Sequence, residues 1–126
     1  MSSNRGIRTG ILLGVFGLAY INGCWSAAAR TPFDGDWSVM IVTSNGPCLA
    51  SYRYGMQIAN GAVIYEGGLV DMQGQVTPKG AVRVTVQAGS QWANGYGRLT
   101  KTRGGGQWRG QGTSGSCSGT WIAERR

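Results

Sequence analysis

The sequence predicts an all-β domain: a single small antiparallel up-and-down barrel of about eight short strands, after an N-terminal signal helix. Three observations predict it. Apolar and polar residues alternate with period two along most of residues 36–123, which is strand rather than helix patterning. Turn residues, above all the 23 glycines, interrupt that alternation at hairpin spacing. Two cysteines, Cys48 and Cys117, lie near the two ends of the patterned region, where one cross-link supports a core of this size.

The chain starts with an export pattern. Arg5 and Arg8 supply positive charge, Gly10 to Ile21 forms an apolar run, and Ala27-Ala28-Ala29 closes it with small residues. The run is shorter than the ~20 residues that span a bilayer. The expected division is a signal segment over 1–29, cleaved after Ala29, and a barrel domain over 30–126. Two alternatives stay open. Ile21-Asn22-Gly23-Cys24 resembles a lipobox, and a lipid on Cys24 would tether the domain to a membrane; an uncleaved segment would anchor it. The expected location is periplasmic or extracellular, with membrane tethering as the alternative.

The strands follow in order. Asp36 to Thr43 alternates and ends at the turn Ser44-Asn45-Gly46-Pro47. Leu49 to Ala59 ends at Asn60-Gly61, the strongest short hairpin signal. Ala62 to Tyr65 and Leu69 to Val76 flank a turn at Glu66-Gly67-Gly68. Ala81 to Gln87 has the cleanest alternation in the chain, and Trp92 to Thr100 follows it. Gly104-Gly105-Gly106 reads as a turn by position. Gln107 to Gly112 and Ser116 to Ala123 finish the meander. Eight such strands close without free edges.

Period two also assigns faces. The inward set includes Trp37, Val39, Ile41, Tyr52, Tyr54, Met56, Val82, Val84, Val86, Trp108 and Trp121, with glycines on the last three strands, and it holds no charge. Large side chains from the first two strands are expected to fill the space those glycines leave, giving a packed interior rather than a deep ligand calyx. The outward set is rich in Gln and Arg. Arg83, Trp92, Asn94, Tyr96, Arg98 and Arg109 share that face on the fifth, sixth and seventh strands.

Cleavage removes Cys24 and leaves Cys48 and Cys117, an even pair in an oxidising compartment and hence an expected disulfide. Removing Arg5 and Arg8 leaves ten cations against five acids, a basic surface able to meet acidic polymers. The cations form no run and no nucleic-acid motif is present, so nucleic acid is not an expected partner. The chain contains no histidine, the commonest general base and metal ligand. Asp34 and Asp36 read as turn caps rather than an acid/base pair or cation site. Neither an enzyme nor a bound cofactor is expected; without histidine, haem would have only Tyr, Met or Cys as axial ligands.

Gly35-Asp36-Trp37, Gly106-Gln107-Trp108 and Gly119-Thr120-Trp121 are Gly-x-Trp triplets. The first opens a strand and resembles the calycin barrels, lipocalins and avidins, which implies a barrel plugged at one end by Trp37. The biotin-binding residues of avidins have no counterparts here, so the resemblance implies no ligand. Phe33 to Arg53, with the ending Gly119 to Arg126, is also similar to small uncharacterised exported proteins of alphaproteobacteria, which implies export and a compact β domain.

The expected function is a non-enzymatic exported binding protein. Its outward face would recognise a glycan or other anionic envelope polymer, with Trp92 and Tyr96 stacking on sugars and Arg83, Asn94, Arg98 and Arg109 donating hydrogen bonds. The alternatives are a protein-protein module, acting as an inhibitor of an envelope hydrolase or a subunit of a surface assembly, and a carrier of a small apolar ligand inside the barrel.

Overall fold

The computed structural model describes residues 31–126 except Glu66 and Gly68. The expected signal segment, with Cys24, lies outside the described residues. Eight strands follow one another: β1 (Gly35–Asn45), β2 (Ser51–Ala59), β3 (Ala62–Ile64), β4 (Asp71–Val76), β5 (Ala81–Ala88), β6 (Gln91–Leu99), β7 (Arg103–Gln111) and β8 (Ser116–Arg125). They form a closed antiparallel barrel in sequence order. β1 pairs with β2 on one side and with β8 on the other, where Val39 faces Ala123. Each strand pairs with its neighbours in sequence and β8 returns to β1, as the meander pattern requires.

The Asn60-Gly61 hairpin turns as its sequence dictates. Both residues have positive φ, 54° and 80°, the backbone of a two-residue turn matched to strand twist. Asp34 accepts hydrogen bonds from the amides of both, and its carboxyl also takes the Thr31 hydroxyl. These contacts lower its pKa, the Thr31 hydroxyl most strongly. Asp34 is thus a cap, as expected, that holds the chain before β1 against the β2–β3 turn.

The barrel has two unlike ends. Where β1 begins and β8 finishes, Phe33 folds under the strands and packs with Trp37, Ile58, Val76, Val82 and Leu99. Trp37 is only 1% exposed. Its indole N–H donates to the Phe33 carbonyl at 2.9 Å, and the Arg125 guanidinium lies 4.7 Å from its ring centre. Arg125 in turn donates to the carbonyls of Pro32, Asp34 and Lys101. The end is thus shut by packing and hydrogen bonds together.

One turn assignment is corrected. Gly104, Gly105 and Gly106 belong to β7, which starts at Arg103, and the preceding turn is made by residues 100–102. Glycine there serves close approach rather than turning. A Cβ on Gly106 would sit 2.6 Å from Gly97 Cα and 2.8 Å from the Trp121 indole nitrogen. Leu49 and Leu69, expected in strands, lie instead in connections and are exposed.

Candidate functional site

The barrel interior is open at the other end. A cavity of about 290 Å³ runs up from Trp37, and its wall includes Ile41, Met72, Val84, Ala93 and Trp108. The packed interior expected from strand length is therefore corrected. Two features of the chain leave the space. First, the inner faces of β6 and β7 carry Ala93, Gly95 and Gly110, and the nearest atom to a Cβ on Gly95 would be 3.8 Å away. The large side chains over this wall come from β7 and β8, not from the first two strands. Trp121 donates to the Tyr96 carbonyl of β6 at 3.2 Å, which holds its indole against the wall, and Trp108 reaches across β8 to donate to the Val42 carbonyl of β1 at 3.0 Å. Second, β3 is only three residues long. It pairs with β2 from Gln57 down and with β4 from Gly74 down, so the upper halves of β2 and β4 have no third strand between them. Tyr65 and Val70 line the cavity there.

The mouth carries three tyrosines. Tyr52 and Tyr54 project inward from β2, opposite Ile41 and Val39 of β1. The Tyr54 ring lies 5.5 Å from that of Tyr52 and 5.4 Å from that of Tyr65, the latter edge-on, both favourable aromatic separations. Burial, and to a lesser degree the neighbouring Tyr65 and Tyr52, push the Tyr54 hydroxyl up to about 12. Tyr65 is also raised, by burial first and then by its hydrogen bond with Tyr52. Tyr54 and Tyr65 therefore remain neutral near pH 7. Among the described residues, no Lys, Arg, Asp or Glu lines the cavity. Leu49, Tyr52 and Leu69, the last 97% exposed, leave apolar surface around the mouth.

The opposite half of the mouth is pinned. Cys48, in the β1–β2 connection, is bonded to Cys117 at the start of β8, with a Cα–Cα distance of 6.1 Å. This is the expected disulfide. It ties the β1–β2 loop to the β7–β8 hairpin, while the Tyr65–Val70 side carries no such tie.

The outward face lies where its parity places it. Arg83, Trp92, Asn94, Tyr96, Arg98 and Arg109 are all exposed. Tyr96 faces Arg83 on one neighbouring strand and Gln107 on the other, and its hydroxyl donates to Gln107 Oε1 at 3.0 Å. Asn94 faces Arg109, and Trp92 faces Gln111. Arg98 is set at the shut end of the barrel, where it reaches the Lys79 carbonyl at 3.4 Å. The six residues form one continuous outer surface of β5, β6 and β7.

Among the described residues, no three His, Cys, Asp or Glu side chains gather as a metal site would require. The cavity is the feature that sequence reasoning missed. Its signal was present in the inward parity of Tyr52, Tyr54 and Tyr65 and the run of small inward residues on β6 and β7. No protein family, curated protein or solved structure matches the chain.

Proposed function

We propose that this protein is an exported, non-enzymatic carrier of a small apolar ligand held inside the barrel. The observation that carries the reading is the apolar cavity of about 290 Å³ above a fully packed floor. Its volume is on the order of ten waters, so the ligand has on the order of ten to fifteen non-hydrogen atoms. Ten to fifteen buried methylenes supply about 8–12 kcal/mol. After an association cost of ~4 kcal/mol, about 4–8 kcal/mol remains, which corresponds to affinity in the millimolar to micromolar range. The disulfide is compatible with an oxidising compartment, which supports export. Titration of the purified protein with butylbenzene, read through tryptophan fluorescence, tests the carrier reading. Saturable binding is expected, and Ala93→Leu, which puts bulk into the cavity, should abolish it. Equal binding by that variant would place the ligand elsewhere and end the proposal.

A second reading rests on a separate observation. The continuous surface of Arg83, Trp92, Asn94, Tyr96, Arg98 and Arg109 supports recognition of a glycan or other anionic envelope polymer. Retention on an anionic polysaccharide should weaken with salt, since exposed charges are screened over ~10 Å at 0.1 M. Retention that ignores both salt and Arg98→Ala would dismiss it.

A further inference from the structure

We infer that the ligand is a neutral molecule with an apolar body and one carbonyl acceptor, a ketone or ester oxygen that the Tyr54 hydroxyl holds at the cavity mouth. The inference rests on the carrier reading and narrows it.

The argument is one of matched and unmatched donors. The lining contains three indole N–H groups, on Trp37, Trp108 and Trp121, and each already donates to a backbone carbonyl. Tyr52 and Tyr65 are hydrogen-bonded to each other. Tyr54 sits between their rings, and its hydroxyl has no hydrogen-bond partner among the described residues. A polar group on an apolar wall is costly when unpaired and specific when paired. Because burial keeps this phenol protonated, it offers a proton to an acceptor. A carboxylate ligand is disfavoured, because among the described residues no cation lines the cavity to offset the loss of its hydration. A pure hydrocarbon fits the walls and leaves the Tyr54 hydroxyl unused. A carbonyl on an apolar body matches both the walls and the mouth.

Three probes of similar size separate the possibilities: butylbenzene, butyrophenone and phenylbutyrate at neutral pH, each titrated against the full protein and its Tyr54→Phe variant. Butyrophenone should bind the unaltered protein and lose roughly five- to tenfold in the variant, the effect of one hydrogen bond. Butylbenzene should bind both proteins within twofold of each other. Phenylbutyrate should bind at least tenfold more weakly than butyrophenone. Because the hydroxyl has no partner in the fold, the melting temperature of the variant should match that of the unaltered protein, which separates loss of the contact from loss of structure. Butyrophenone binding that is unchanged in Tyr54→Phe, or phenylbutyrate binding as tight as butyrophenone, overturns the inference while the carrier reading stands. Failure of both neutral probes to bind overturns the carrier reading itself.

Discussion

The two ends of this barrel are made by the same eight strands and behave oppositely. At the shut end Trp37 is held by packing, by a hydrogen bond to Phe33 and by the Arg125 guanidinium. At the open end the inner faces of β6 and β7 shrink to Ala93, Gly95 and Gly110, β3 stops short, and a cavity remains. The difference teaches that closing the hydrogen-bond ladder and filling the interior are separate achievements. Ladder closure needs eight strands in register. Filling needs large side chains all round the inner face at every level, and toward the open end β6 supplies only Ala93 and Gly95.

If the shut end holds the fold together, breaking it should have the largest effect. Trp37→Ala should destabilise by about 5 kcal/mol, the top of the range for a buried aromatic, because a hydrogen bond and a cation–π contact are lost with the ring. Urea denaturation measures this, and a loss under ~2 kcal/mol would mean that the floor relaxes around the missing ring. The disulfide comes next. It closes a loop across a sequence separation of 69 residues, so replacing both cysteines by alanine should cost roughly 4 kcal/mol in the chain-entropy account. The comparison also fixes where the loosening appears: amide exchange should rise first in the β1–β2 loop and the β7–β8 hairpin and least around Trp37.

Parity made most of the framework legible. Ala81 to Gln87 alternates without a break, and β5 occupies Ala81–Ala88. Asn60-Gly61 announced its turn, and Cys48 and Cys117 announced their bond. The outward surface of Arg83, Tyr96 and Arg109 followed from the same alternation once neighbouring strands were known to pair. Two features were hidden because they depend on depth rather than direction. Alternation says that Trp108 and Trp121 point inward. It does not say that the Trp121 indole lies along β6, that the Trp108 indole crosses β8 to β1, and that the middle stays free. Likewise, Gly104-Gly105-Gly106 carries a turn composition, and only the approach of β6 and Trp121 explains why glycine is required inside a strand.

The glycines sharpen the comparison at finer scale. Gly97 and Gly106 lie beneath Trp121, where added atoms meet backbone and ring at under 3 Å, whereas a methyl on Gly95 would stand in ordinary van der Waals contact at 3.8–3.9 Å. Gly106→Ala should therefore destabilise by about 1–3 kcal/mol through overpacking. Gly95→Ala should stabilise by about 0.5–1 kcal/mol, because alanine restricts the unfolded chain and clashes with nothing in the folded one. Opposite signs at two inward glycines on adjacent strands are a direct test of where the cavity lies. Destabilisation at both would mean that the wall is packed throughout.

The smallest expected effect belongs to the outer face. Trp92 is 42% exposed and pairs across the sheet with Gln87 and Gln111. Its ring fills no part of the interior, so Trp92→Ala should leave stability within about 0.5 kcal/mol of the unaltered protein. Butylbenzene binding in the cavity should also be unchanged, because the substitution lies on the far side of the wall. Retention on an anionic polysaccharide should drop, because an exposed aromatic on a basic face is the group able to stack on a sugar ring. Loss of retention with cavity binding intact would show two independent sites on one barrel. Loss of cavity binding without loss of retention would join Trp92 to the mouth instead, and the outer surface of β5, β6 and β7 would then be ordinary solvated sheet.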